Sequence, residues 1–224
     1  MEIGVFVLVG LVALAGAYAA YYFRKKRREE LAAMAFRLGL EFSSDDPFGC
    51  LTYPFALLTK GDGRGTENVM WGTWQDMAVR EFDYWYYEES TDSNGNRSRT
   101  YHRFSCAVTE IDAACSHLTI DRENLFTALA DHIGLHDIEF ESDDFNRAFN
   151  VKSKDRKFAS DIVDARMMQW LQQTDGGFHF EACGTWLLAF GRKRRPDDLI
   201  PLLGTLQQFR DHVPRVVYEL YPVA

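Results

Sequence analysis

The chain has 224 residues, 46% of them hydrophobic and 26% charged, a balance that excludes a wholly disordered polypeptide. The net charge is −8; without Glu2 and the five consecutive cations Arg24, Lys25, Lys26, Arg27 and Arg28, the 25 basic residues fall to 20 and the 33 acidic ones to 32, leaving −12 on the rest. A body of that charge repels phosphate polymers, which argues against nucleic acid as a partner. Cys50, Cys106, Cys115 and Cys183 are scattered without a C-x-x-C pair, so they read as buried, reduced thiols and not as a disulfide framework or zinc ribbon.

Ile3 to Phe23 carries no charge. As a helix these residues cover about 31 Å, enough for a bilayer core, and Tyr18, Tyr21 and Tyr22 lie toward the end where aromatic rings favour headgroups. The cations follow this stretch and do not precede it, unlike those of a signal peptide. The expectation is a transmembrane anchor over residues 1–23, a basic juxtamembrane segment and helix over 24–40, and a cytoplasmic domain over 41–224. The positive-inside rule puts the N-terminus outside and makes the protein single-pass in the cell membrane.

Leu31, Ala32, Met34, Ala35 and Leu38 recur at helical spacing up to the stop at Gly39. Strand-like runs follow at Leu51–Leu58, Glu67–Trp74 and Met77–Glu88. Asn94-Gly95 signals a hairpin into Thr100–Ile111, and Ser116–Ile120 reads as one more strand. A helix is expected from Asp121, with Leu125, Phe126, Leu129 and Ile133 on its apolar face and Gly134 at its end. Ile138–Phe140 and Phe145–Val151 read as strands, and Asp155–Gln172 as an amphipathic helix. Gly176-Gly177 leads into a hairpin of Phe178–Ala182 and Thr185–Phe190, and Asp197–Val213 reads as the last helix. The order implies an α+β fold, a mostly antiparallel sheet with flanking helices behind the N-terminal membrane helix. A curved sheet closed by the last helix, as in pleckstrin-homology-like modules, is one specific form of it.

The phrases Phe140-Glu141-Ser142, Phe145-Asn146-Arg147-Ala148-Phe149-Asn150-Val151, Asp155, Phe158-Ala159 and Met167-Met168-Gln169-Trp170-Leu171, with Gly72-Thr73-Trp74 and Phe82-Asp83-Tyr84, form a pattern. It resembles that of a family of uncharacterised bacterial membrane-anchored proteins, in which an N-terminal transmembrane helix precedes a cytoplasmic domain of unknown function. The resemblance covers about half of the domain and brings no catalytic residue with it.

The candidate sites are sparse. Gly61-Asp62-Gly63-Arg64-Gly65 lacks the Gly-Lys-Ser/Thr of a P-loop and reads as a connecting loop. Asp92-Ser93-Asn94-Gly95-Asn96 opens like a calcium loop, but Arg97 and Arg103 stand where glycine and glutamate are required. His132 and His136 are four apart, yet Gly134 interrupts the helix they would share. Cys115-Ser116-His117 offers a nucleophile near a base, without an orienting group or oxyanion donors. No catalytic, cofactor or metal residue emerges. The remaining candidates for lipid or partner contact are Arg24, Lys25, Lys26, Arg27 and Arg28, with the basic turn Arg192, Lys193, Arg194 and Arg195. The chain therefore reads as a membrane-tethered, non-enzymatic binding or assembly module with a protein partner at the bilayer. An enzyme with an unfamiliar site and an anionic-lipid module are the alternatives.

Overall fold

The structure is a computed structural model that describes residues 2–122, 134–175 and 177–223, with side chains described from residue 10 onward. It is α+β. Helix α1 (Glu2–Leu38) leads into strands β1 (Glu41–Ser43), β2 (Gly63–Trp74), β3 (Met77–Thr91), β4 (Arg97–Asp121) and β5 (His136–Asp137). Helix α2 (Asp143–Ala148), strand β6 (Asn150–Ser153), helices α3 (Arg156–Ile162) and α4 (Ala165–Gln173), strand β7 (His179–Arg192) and helices α5 (Leu199–His212) and α6 (Arg215–Leu220) complete the chain.

All strand pairs are antiparallel, in the order β1-β2-β3-β4-β6-β5, with β7 pairing β4 as well. Strand β4 organises the sheet. Its first half pairs with β3 on one edge, its last residues pair with β6, and β7 runs along it from Phe104 to Ile120. Among the described residues the sheet therefore forks and does not close on itself.

Alternation in β3 and β4 divides the interior into two cores. Met77 and Val79 face the helices and join Leu31, Met34 and Ala35 of α1, Leu171 of α4, and Leu202, Leu203 and Leu206 of α5. Phe82, Tyr84 and Tyr86 face the other way, into a core with Phe104, Cys106 and the segment Phe55 to Leu58. No strand forms at Leu51–Leu58, where one was expected; the chain there makes two 3-10 turns, Cys50–Thr52 and Leu57–Thr59.

Further expectations are corrected. Thr100–Ile111 and Ser116–Ile120 are parts of one strand, because bulges between Glu110 and Leu118 bend β4 without ending it. The hairpin expected at Phe178–Phe190 is likewise one strand: Gly184, at φ 59°, lets β7 follow the bend of β4. Phe145 lies in α2, not in a strand, since Ser142 caps the backbone N–H of Phe145. The helix expected over Asp155–Gln172 breaks in two, as Asp164 leaves helical geometry to accept a hydrogen bond from Met167 N at 2.8 Å. The helix expected from Asp121 to Gly134 lies mostly outside the described residues.

Among the described residues no helix is long and apolar enough to cross a membrane. The described apolar side chains of α1 run from Gly10 to Phe23. The next residues are the cations Arg24 to Arg28, and the helix runs on unbroken to Leu38. This overturns the expected transmembrane anchor, and with it the single-pass cell-membrane location, the outside N-terminus and the cytoplasmic domain.

Candidate functional site

The two basic runs meet on the helix-covered face of the sheet. Glu67 of β2 lies opposite Asp83 of β3, which lies opposite Ser105 of β4, and Ser105 in turn lies opposite Gly191 of β7. Beyond Gly191 the basic turn folds toward α1: Lys193 N donates to Arg103 O at 2.9 Å and Arg194 N to Ser105 Oγ at 3.1 Å. Arg27 closes the arrangement from above. Its Nε and Nη2 donate to Asp83 Oδ2 and Oδ1 at 2.7 and 2.6 Å, and its Nη1 donates to Arg194 O at 2.6 Å.

Asp83 is buried and takes two further contacts, from Asn68 Nδ2 at 2.9 Å and Lys193 Nζ at 3.0 Å. Asn68 reaches it because the β2–β3 register slips between Glu67 and Met70, with Asn68 at φ 57°, a left-handed conformation that asparagine tolerates. Lys193 and Arg28 approach Glu67 at 3.8 and 4.0 Å. Two acids, Glu67 and Asp83, thus meet three cations, Arg27, Arg28 and Lys193, beneath and beside α1.

Desolvation disfavours the charge of Arg27. The hydrogen bonds that Arg27 donates to Asp83 and the charges of Asp83, Glu81 and Glu67 outweigh it, and hold the guanidinium above its ordinary value. Glu81, one pleat from Asp83, is fully enclosed, and neither carboxyl oxygen has a hydrogen-bond partner among the described residues. Burial first, then the charge of Asp83, push its pKa well above the carboxylate range, against the opposing pull of Arg27 and Lys193.

The basic runs therefore divide. Arg27 and Lys193 turn inward to the acids. Lys26, Arg37, Arg194 and Arg195 line a groove of about 1010 Å³ between α1 and the end of β7, with Glu30 and Asp197 among its acids. Phe23 and Phe36, 66% and 86% exposed, stand along it. Several of these cations have local partners: Lys26 lies 3.8 Å from Glu30, Arg37 3.4 Å from Asp197, and Arg195 3.1 Å from Asp198. Lys25 pairs with Glu29 at 3.9 Å, while Arg24 and Arg192 are exposed.

The solved structures include a similar fold. It is that of the mycobacterial trehalose monomycolate transport factor A, TtfA, whose crystal structure superposes with a TM-score of 0.60 over 88% of this chain and 98% of that chain, at 15% sequence identity. No protein-family model and no curated protein matches the chain. At that identity the likeness to the transport factor is one of fold.

The other sequence candidates separate in space. His117 turns to Glu181 of β7, with Nε2 2.5 Å from Oε1, and not to Cys115. Glu181 is buried and also accepts from Ala56 N and from Leu57 N, the latter at 3.3 Å, so it braces the 3-10 segment against the sheet. Cys115 is enclosed, and burial pushes its thiol up to about 12. All four cysteines are free, and three of them are buried. His136 is exposed in β5, and His132 lies outside the described residues. The Asp92 carboxylate accepts from Asn94 N and Asn96 N at 2.8 and 2.9 Å, which makes that segment the hairpin turn. Gly63 and Gly65 belong to β2, where the rings of Tyr87 and Trp85 lie across them; a Cβ at Gly65 would stand 2.8 Å from Trp85. Among the described residues no group of three His, Cys, Asp or Glu side chains could hold a metal ion.

Sequence reasoning singles out the cations and misses their counterparts Glu67, Asn68, Glu81 and Asp83. A signal is present: Glu81 and Asp83 are charged at the parity that continues Met77 and Val79, a parity that must face a core.

Two outcomes follow. Asp83→Ala leaves the part-buried Arg27 without its carboxylate and should lower unfolding stability by about 3 kcal/mol, whereas Arg27→Met with Asp83→Leu together should restore most of it in urea melts. A folded-state pKa raised at Glu81 means that its contribution is complete below the titration of an unfolded carboxyl and is lost as pH rises through the folded value. Glu81→Gln, which mimics the neutral acid, should therefore melt higher than wild type at pH 8 and lose that advantage by pH 4 in thermal scans.

Proposed function

We propose that the protein is a non-enzymatic docking module, an accessory component of a transport assembly, which holds a partner protein along α1. The observation that carries this reading is the division of labour within one helix. Leu31, Met34 and Ala35 are buried in the domain core, while Leu11, Val12, Leu14, Tyr18, Tyr21, Tyr22 and Phe23 of the same rod stand 51–70% exposed. Uncovered apolar side chains in such number mark an interaction surface. Arg27 fixes the rod to the sheet, so that surface is presented at a set angle to the groove that follows it.

The partner that fits has an apolar helix to lie on α1 and an acidic segment to enter the groove beside Lys26, Arg194 and Arg195. Transport is the context named for the protein of similar fold. The exposed rings Phe23 and Phe36 would act as anchors and the cations as the polar rim.

The test is site-specific photo-crosslinking of the full chain in its native cells, with the probe at Tyr22, at Phe36 and, as a control, at Leu220. One discrete protein adduct should form from Tyr22 and Phe36, be absent from Leu220, and weaken when Lys26→Glu and Arg195→Glu are combined. Equal labelling from Leu220, or flotation of the chain with protein-free vesicles in the absence of any protein adduct, would contradict the reading.

A further inference from the structure

The opposite face of the sheet holds a second concavity, of about 330 Å³, near the lower bound for a small-molecule site. Strand register builds it. In one row across the sheet Trp71 of β2 faces Arg80 of β3, which faces Val108 of β4. In the next row Thr73 faces Ala78, and Glu110 faces Trp186 of β7. The small side chains Ala78 and Val108 sit between the two large indoles, and that difference in size makes the hollow. Phe48 closes one side, 5.2 Å from Trp71, on a loop that Asp46 ties down through Phe48 N, Cys50 N and Thr66 Oγ1.

Two charges look into this space without an ion-pair partner among the described residues. The Arg80 guanidinium lies 4.4 Å from the Phe48 ring centroid, 5.6 Å from that of Trp186 and 5.9 Å from that of Tyr53. It donates one hydrogen bond, to Tyr53 Oη, which leaves most of its donors unspent. Glu110 is exposed on the same face; as the diagonal neighbour of Arg80 its Cα lies about 7 Å away. A guanidinium packed among aromatic rings, with one donor spent, keeps donors for a carboxylate. A lone carboxylate nearby suits an ammonium group, and the indoles suit a planar body.

We propose that this concavity binds a small zwitterion of the aromatic α-amino acid class, with its carboxylate on Arg80, its ammonium on Glu110 and its ring between Trp71 and Trp186. The site lies on the sheet face away from α1 and stands independently of the docking function.

Titration of the full chain with L-phenylalanine, read by quenching of tryptophan fluorescence and by ligand-observed saturation transfer, tests it. Phenylacetate, which lacks the ammonium, and phenethylamine, which lacks the carboxylate, serve as probes of each half. Saturable binding of L-phenylalanine is expected, with each analogue weaker by at least about tenfold, since a charged hydrogen bond is lost in each case. Arg80→Gln should erase the preference over phenethylamine, and Glu110→Gln the preference over phenylacetate. Glu110 is a surface side chain, so its variant reports on the ammonium contact even if Arg80→Gln disturbs the Phe48 loop. Analogues that bind as tightly as L-phenylalanine, no saturable binding of L-phenylalanine, or a preference over phenylacetate unchanged in Glu110→Gln would each overturn the assignment.

Discussion

The bidentate pair between Arg27 and Asp83 sets the geometry on which the rest of the molecule depends. A long helix that packs by apolar contact alone can slide or rotate at small cost, because neighbouring ridges and grooves are nearly equivalent. A largely enclosed guanidinium allows no such freedom: it must meet its carboxylate, and a shift of one helical turn would part Arg27 from Asp83, which would keep only Lys193 and Asn68. The pair is less a source of net stability than a choice of register. Through Arg27 it also joins three sequence regions, since the same side chain bonds to Asp83 of β3 and to the backbone of Arg194 beyond β7.

What surrounds the pair follows from β4. One strand of 25 residues is long enough to belong to two halves of the sheet, pairing with β3 early and β6 late while β7 accompanies it. Its first half places Ser105 where the basic turn can be received, and its bend carries His117 to Glu181, which braces the 3-10 segment over the second core. The two faces of β3 then diverge in chemistry. One face carries Glu81 and Asp83 under α1, the other Phe82 and Tyr84 under Phe55 and Leu57.

Legibility in the sequence tracks the range of the interactions. The helical stripe of α1 and its stop at Gly39, the alternation in β3 and the Asn94-Gly95 turn are local signals, and each element lies where they point. Boundaries set by distant partners are not readable. Gly184 looks like a hairpin breaker because nothing local states that β4 bends beside it, and Phe145 looks like a strand residue because the cap at Ser142 competes with an apolar run. The basic clusters are visible as charge, but the role of Arg27 depends on an acid 56 residues away, so Arg27 cannot be told from Lys25. The pocket at Arg80 is invisible for the same reason, as it exists only once four strands are in register.

Hydrogen exchange across α1 in Asp83→Asn tests the central claim most directly, since the substitution keeps the shape of the side chain and removes its charge. If Arg27–Asp83 holds the helix in place, amides from Arg27 to Leu38 should exchange at least about tenfold faster than in wild type while β4 and β7 keep their protection. Unchanged protection of α1, or an equal loss through β4 and β7, would contradict it.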